Sequence, residues 1–282
     1  MQTTLTAVIK AVQAVASREI LPRYQKITHA VKADGSLLTE ADVATQNALV
    51  EALQAIAPYP VLGEEMTPDE QYACWHAGQN GLWCVDPIDG TTNFVSGIPY
   101  FAISVALLRE GKRVLGVVYN PITTECFSAL AGGGAFCNGE RLPIRQGVVS
   151  LAQAVAGVEL KWLESPLARA LAFDPPYASQ RNFGASTLDW CYLAAGRLDV
   201  YLNGGQKLWD YAAGALILQE SGGAMAGLAC DIYDQAPLWQ RGVVAARTPA
   251  LLTDWLTWVR QHYPATIPAL QTATSEPGLL TT

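Results

Sequence analysis

Apolar residues near the start of the chain recur three and four positions apart, which is the spacing of an amphipathic helix. The pattern extends over residues 4–24. Thr39 is then a candidate N-cap, because Glu40 and Asp42 would place negative charge in the first turn of a second helix. This second helix is predicted to run to about Ala57.

Short apolar runs in the next part of the chain predict strands. Val61-Leu62 is one such run, and residues 81–85 form another that leads directly into Asp86. Residues 66–80 between them are polar and predict a loop. Three longer runs separated by turn signals predict an antiparallel meander. These runs cover residues 101–108, 113–119 and 124–130.

Helical and extended patterns alternate after about residue 150, which favours an α/β arrangement there. The predicted strands are residues 154–159, 199–202 and 242–246. The predicted helices are residues 187–195, residues 211–221 and a last helix with Thr248 as its N-cap. We therefore expect an N-terminal α+β half over residues 1–145, a C-terminal α/β half over residues 146–265 and a tail over residues 266–282.

Composition narrows the possible partners. Half of the 282 residues are hydrophobic, and the net charge is −7 without any run of Lys or Arg. A nucleic acid or an anionic membrane is therefore not expected as the main partner. The six cysteines lack metal-binding spacing, and the N-terminus lacks the pattern of a signal peptide, so a cytoplasmic protein with reduced thiols is expected.

The most informative segment is Asp86-Pro87-Ile88-Asp89-Gly90-Thr91-Thr92. Two carboxylates follow an apolar strand, and Pro87 restricts the backbone between them. Gly90 allows a close backbone approach, and the threonines offer hydroxyl and N–H groups at a possible helix start. Carboxylate and carbonyl oxygens are suitable ligands for Mg²⁺, which often bridges to a substrate phosphate. The simpler interpretation is an Asp-Pro turn that caps a helix.

Two other acidic positions could join this segment. Glu64 in Gly63-Glu64-Glu65 also follows a short apolar run, and Asp210 opens a predicted helix. Alone, the first is best interpreted as a surface turn and the second as an N-cap worth about 1 kcal/mol. The common alternatives are missing, since the three histidines are scattered and neither a P-loop nor a GxSxG motif occurs. Together the carboxylates favour a metal site.

These motifs, in this order and spacing, resemble the inositol monophosphatase family. The agreement extends to Thr39-Glu40-Ala41-Asp42, to Trp209-Asp210-Tyr211-Ala212-Ala213-Gly214 and to Glu220-Ser221-Gly222-Gly223. It covers roughly residues 5–262. The resemblance implies an α+β protein with the layered αβαβα sugar-phosphatase fold, which is usually a homodimer. It also implies Mg²⁺ as the cofactor and a small phosphorylated metabolite as the partner.

The resemblance assigns roles to individual residues. The implied ligands of Mg²⁺ are Glu64, Asp86, Asp89, Asp210 and the carbonyl oxygen of Ile88. The implied substrate contacts are Asp89, Gly90, Thr91, Ala185, Ser186, Asn203 and Asp210. Thr91 paired with Asp42, together with Glu64, would orient and deprotonate the attacking water. The implied reaction is metal-assisted in-line hydrolysis of a phosphomonoester.

The chain departs from the family pattern in the substrate-facing region. Asn203 stands seven residues before Asp210, where inositol monophosphatases usually carry a glutamate that contacts ring hydroxyls. Gly184-Ala185-Ser186 replaces the more usual Gly-Ser-Ala. Inositol 1-phosphate or a similar polyol phosphate is the predicted substrate. The alternatives are 3′-phosphoadenosine 5′-phosphate, fructose 1,6-bisphosphate or histidinol phosphate, and, in another class, a role as a regulatory binding protein.

Overall fold

The computed structural model describes residues 1–26, 29–31, 37–143, 145, 147 and 150–263, so the predicted tail lies outside the described residues. The helices are α1 (Gln2–Val15), α2 (Glu40–Ile56), α3 (Pro68–Ala77), α4 (Thr91–Ser96), α5 (Ser165–Phe173), α6 (Ser186–Ala194), α7 (Leu208–Glu220) and α8 (Pro249–His262). The strands of the first half are β1 (His29–Val31), β2 (Leu37–Thr39), β3 (Val61–Gly63), β4 (Leu82–Asp89), β5 (Ala102–Arg109), β6 (Lys112–Asn120), β7 (Glu125–Leu130), β8 (Gly134–Cys137) and β9 (Glu140–Arg141). The strands of the second half are β10 (Val155–Glu159), β11 (Ser179–Arg181), β12 (Val200–Gln206), β13 (Ala224–Gly227) and β14 (Arg241–Ala246).

Two large sheets organise the described chain. Strands β3 to β9 follow one another in a seven-stranded sheet, in which only the β3–β4 pair is parallel. The predicted meander is therefore confirmed as β5, β6 and β7. The second sheet has the order β11-β10-β12-β14-β13, with β10 parallel to both of its neighbours. Strands β1 and β2 form a separate antiparallel pair.

Helices cover both sheets and produce the predicted αβαβα layers. Helices α1 and α2 pack on the outer face of the seven-stranded sheet, and α6 and α7 lie between the two sheets. Helix α8, with α5 beside it, covers the far face of the second sheet. Three clusters of buried apolar residues fill the spaces between these layers.

Helix α7 occupies the centre of the molecule. Ten of its 13 residues are buried, as expected for a helix enclosed on several sides. Gly214 allows its close contact with α6, because an added Cβ would lie 2.4 Å from the Cβ of Trp190. Since α7 is held by its neighbours along its length, its first turn is a rigid support for Asp210.

Several local predictions are confirmed and others are wrong. Thr39 caps α2 in a capping box with Asp42, and Thr248 caps α8. The predicted loop over residues 66–80 is wrong, because α3 forms there with Thr67 as N-cap and Pro68 in its first turn. Helix α3 is polar and carries no apolar stripe, so periodicity could not detect it.

Two boundaries near the candidate site also differ from the predictions. The chain was expected to leave its strand at Asp86, but β4 continues through Pro87 to Asp89. Helix α7 begins at Leu208, so Asp210 lies inside its first turn and Lys207 is the N-cap. Within the described residues, the helices are too short or too polar to cross a membrane.

Candidate metal centre

A bulge near the end of β4 brings its acidic residues together. Asp86 pairs with Ser104 on β5, but the register then shifts, so that Asp89 pairs with Ala102. Pro87 suits this bulge because it has no N–H to donate to a neighbouring strand. The Ile88 N–H donates to Asp86 Oδ1 at 3.1 Å. The bulge thus places two carboxylates and the Ile88 residue on the wall of one small cavity.

Asp210 reaches the same point from α7. Carboxylate oxygens of Asp86, Asp89 and Asp210 all lie within 4.8 Å of one another. Asp210 Oδ2 accepts a hydrogen bond from the Lys207 N–H at 2.8 Å, which fixes its orientation. Asp210 of α7 therefore converges in space with Asp86 and Asp89 of β4, although it is far from them in sequence.

Glu64 lies on a loop that two glutamine side chains hold in place. The Glu65 N–H donates to Gln46 Oε1 at 3.0 Å, and Gln71 Nε2 donates to the carbonyl oxygens of Gly63 and Glu64 at 3.1 and 3.4 Å. This loop lines a cavity of about 200 Å³ together with the three aspartates. The other residues of its lining are Ile88, Gly90, Thr91, Thr92 and Gly184.

Gly90 joins the bulge to the short helix α4. Its φ of +88° lies in the left-handed region that disfavours other residues. An added Cβ would also lie 3.0 Å from the Cβ of Ala185 and 3.1 Å from the carbonyl oxygen of Tyr100. Glycine is therefore required here for the backbone to turn and to begin α4 at the edge of the cavity.

Thr91 and Asp42 meet although 49 positions separate them. Asp42 is buried, and its Oδ2 accepts hydrogen bonds from the N–H and the hydroxyl of Thr39 at 2.7 and 2.6 Å. Its Oδ1 lies 3.5 Å from the Thr91 hydroxyl, while the Ile88 carbonyl oxygen lies 3.1 Å from that hydroxyl. The single hydroxyl proton thus has two acceptors within reach, and the nearer one belongs to Ile88.

Burial and mutual repulsion disfavour the charged forms of the aspartates. Burial raises the pKa of Asp86 well above its ordinary value, and the charges of Glu64, Asp89 and Asp210 raise it further. Burial also raises the pKa of Asp210, with Asp89 and Glu64 adding to the effect. The pKa of Asp89 rises to about 6 through burial, although hydrogen bonds from Thr187 oppose the rise. Ionised together, these groups require a compensating positive charge.

Thr187 is a contact that the sequence did not predict. Its N–H and its hydroxyl both donate to Asp89 Oδ2, at 2.7 and 2.6 Å. The Ser186 N–H also lowers the pKa of Asp89, so the start of α6 is directed at this carboxylate. A threonine at the start of a predicted helix was the available signal, but its partner is 98 positions away in sequence.

Three of the seven predicted substrate contacts lie outside the lining of the metal-site cavity. Ala185 and Asn203 are buried, and neither they nor Ser186 belong to the cavity lining in the described structure. Asn203 Oδ1 accepts from the Gly205 N–H at 3.0 Å, and its Nδ2 donates to the Tyr201 hydroxyl at 3.3 Å. Its amide therefore stabilises the irregular end of β12, and its role toward a substrate stays a prediction.

The donors in the cavity fit a hard divalent cation. All are oxygen atoms, three of them carboxylates in mutual contact range, and Mg²⁺ prefers such ligands. A cation would also offset the burial and the mutual repulsion that raise the aspartate pKa values. The start of α4 adds N–H groups of Thr91 and Thr92 at the same cavity, which suits an anion. The arrangement can hold a cation and a phosphate side by side.

Comparisons with known proteins agree with this chemistry. A model of the inositol monophosphatase family matches residues 1–265. The inositol-1-monophosphatase of Rhizobium meliloti is 38% identical over 207 residues, which cover 71% of this chain and 75% of that protein. The Nus factor SuhB of Pseudomonas aeruginosa is 34% identical over 238 residues, covering 82% and 85%. A crystal structure of an IMPase/NADP phosphatase with Mg²⁺ and phosphate has a TM-score of 0.76 at 26% identity, covering 91% of this chain and 93% of that one.

Proposed function

This chain belongs to the inositol monophosphatase family of Mg²⁺-dependent phosphatases, and on that premise we propose that it hydrolyses inositol 1-phosphate or a similar small polyol phosphate. The observation that carries the proposal is the convergence of Asp86, Asp89 and Asp210 within 4.8 Å beside the start of α4. Burying three mutually repelling carboxylates is costly unless a cation compensates them, so the cluster supports a metal-dependent activity.

We assign the roles of the site residues as follows. Glu64, the three aspartates and the carbonyl oxygen of Ile88 would hold Mg²⁺, and Gly90 and Thr91 would hold the phosphate. When bound, Mg²⁺ would polarise the phosphate and make its water more acidic. Asp89 and Asp210, with Ala185, Ser186 and Asn203 nearby, would contact the polyol.

The residues around Thr91 would move the proton of the attacking water. Asp42 Oδ2 accepts hydrogen bonds from Thr39. Its other oxygen, Oδ1, would accept a hydrogen bond from the Thr91 hydroxyl. The Thr91 hydroxyl oxygen would then be free to accept a hydrogen bond from the water, with Glu64 orienting it from the opposite loop. This arrangement needs the Thr91 hydroxyl to turn from the Ile88 carbonyl toward Asp42, a change between two acceptors already within reach.

Phosphate release from a panel of substrates tests the proposal. We expect the highest kcat/KM for inositol 1-phosphate or another polyol monophosphate, and loss of release when EDTA removes Mg²⁺. The panel should include 3′-phosphoadenosine 5′-phosphate, fructose 1,6-bisphosphate and histidinol phosphate. A clear preference for one of these would replace the proposed substrate, and equal rates with and without Mg²⁺ would contradict the mechanism.

The Thr187 hydroxyl should tune the affinity for Mg²⁺. Thr187→Val removes the hydrogen bond to Asp89 Oδ2 but keeps the N–H and the side-chain volume. Because partners of metal ligands typically change metal affinity by 10- to 100-fold, we expect the Mg²⁺ concentration for half-maximal activity to rise about tenfold. Thr187→Ser keeps the hydroxyl and should restore the wild-type value. Equal Mg²⁺ dependence in all three proteins would show that the hydroxyl has no such role.

Relatives named Nus factor SuhB support a regulatory binding role as the second candidate. Such a role would not require the three aspartates. Variants of these residues should therefore lose hydrolysis but keep regulatory binding. Homodimer formation and a cytoplasmic location remain predictions, the first of which light scattering of the purified protein would test.

A further inference from the structure

A second cavity lies outside the candidate metal centre, between the β5–β6 turn, α7 and the segment before β14. Its volume is about 600 Å³, against about 200 Å³ for the metal-site cavity. Trp75 of α3 and Leu208 and Tyr211 of α7 form part of its wall. The two cavities share no lining residue, so the second one requires its own explanation.

The charges around this second cavity are mostly positive, in a chain whose net charge is −7. Lys112, Arg113 and Arg241 line it, whereas Asp234 is its single acidic lining residue. Asp234 is 68% exposed and pairs with Arg113 at 2.9 Å and more loosely with Arg241 at 3.6 Å. One solvated carboxylate therefore faces two guanidinium groups that are themselves almost fully buried, at 9% and 5% exposure.

Arg241 is held rigidly in the wall. Its guanidinium lies 4.5 Å from the Tyr211 ring centre and 4.9 Å from that of Tyr233. Its Nε donates to the Pro237 carbonyl oxygen at 3.1 Å, and its Nη1 donates to the Tyr233 carbonyl oxygen at 3.2 Å. These contacts use the Nε–H and one of the two terminal nitrogens, and no hydrogen bond from Nη2 is found among the described residues. A fixed guanidinium with one terminal nitrogen still available can donate a charge-assisted hydrogen bond to an anion.

Most of the rest of the wall is apolar or aromatic, with Gln219 as a polar member. Leu108, Val114, Leu216 and Leu238 line the cavity with Trp75. The Trp75 ring lies 6.0 Å from that of Trp239, which in turn lies 5.0 Å from that of Tyr72. Aromatic rings pack favourably against such surfaces through offset and edge contacts. A ligand with both an acidic group and a ring would match the two parts of this lining.

We propose that this second cavity binds a small aromatic carboxylate, with the carboxylate on Arg113 and Arg241 and the ring against Trp75 and Leu238. Such a ligand would neutralise the positive wall and cover the apolar one. The volume, about 600 Å³, lies in the range of cavities that bind small molecules. Leu208 and Tyr211 flank Asp210 on α7, so the bound ligand would touch the helical turn that supports the metal centre.

The competing explanation is that Arg241 only anchors the segment before β14 through its two backbone contacts. Arg113 separates the two explanations, since it makes neither contact and pairs with an exposed carboxylate. Replacing Arg113 should leave Asp234 hydrated and the fold intact. The anchoring explanation predicts no effect of Arg113 on ligand binding.

Isothermal titration calorimetry with 2-naphthoate tests the proposal. Mg²⁺ and inorganic phosphate are present at saturation, so that the metal centre is occupied. We expect saturable binding at one site per chain. Because a charge-assisted hydrogen bond contributes roughly tenfold, Arg113→Met should weaken binding about tenfold. The neutral 2-naphthylmethanol should also bind about tenfold more weakly.

Two further variants complete the test. Arg18→Met removes a surface arginine paired with Glu19 and should bind like the wild type. Ala236→Phe narrows the cavity at a half-buried position and should weaken binding without removing charge. The proposal is overturned if 2-naphthoate does not bind saturably, if both naphthalene compounds bind equally, or if Arg113→Met and Ala236→Phe bind like the wild type. Thermal melts of each variant verify folding, and none of these readouts depends on phosphatase activity.

Discussion

Asp89→Asn is expected to lower Mg²⁺-dependent phosphate release by at least about a thousandfold, since metal-ion stabilisation of the transition state is worth several kcal/mol. The substitution removes one charge from the group of three carboxylates. It keeps an amide oxygen that can accept the same hydrogen bonds from the Thr187 N–H and hydroxyl. The loss would therefore report the missing charge rather than a displaced side chain. Initial rates across a Mg²⁺ titration provide the measurement.

The matched control is Asp254→Asn, which removes an exposed carboxylate from α8 on the far side of the second sheet. It should retain wild-type kcat and Mg²⁺ dependence. Circular dichroism of both variants verifies that the fold is kept. Wild-type activity in the Asp89→Asn variant would contradict the assignment of this metal centre.

The same substitution should stabilise the metal-free protein at neutral pH. The pKa of Asp89 rises from 3.8 to about 6 on folding, because burial disfavours the carboxylate. Between these two pKa values the folded state binds more protons than the unfolded state. The contribution of Asp89 to stability therefore falls as the pH rises through this range. Asparagine carries no such cost. In EDTA, the free energy of unfolding of the variant should exceed that of the wild type by at least about 1 kcal/mol at about pH 8.

Denaturant unfolding at about pH 4 and about pH 8 measures this difference, which should shrink at the lower pH as Asp89 becomes protonated. Mg²⁺ should reverse the order at the higher pH, because binding to the folded wild type adds stability that the variant lacks. The difference in the free energy of unfolding between the two proteins cancels the contribution of carboxylates elsewhere in the chain, because both proteins contain them. A variant that is less stable than the wild type in EDTA at both pH values would contradict a destabilising buried charge at Asp89.

The candidate ligand set could be recognised in the sequence because its motifs are local. Asp86 and Asp89 share one segment, and Glu64 follows a short apolar run, so each could be recognised from nearby residues. The contact between Thr91 and Asp42 was predicted only through the resemblance to the family. Thr187 was missed for a related reason, since nothing near it in sequence indicates that α6 begins against Asp89.

The sequence by itself identified the segments that carry the candidate oxygen ligands, the capping of α2 and α8, and the antiparallel meander. These features depend on hydrogen bonds and apolar periods within a few residues of one another. The tertiary structure alone decided that β4 continues through its bulge and that α6 begins against Asp89. It also decided that two arginines share a cavity behind α7. Those outcomes depend on which distant surfaces pack together, and a single sequence contains no local signal for that choice.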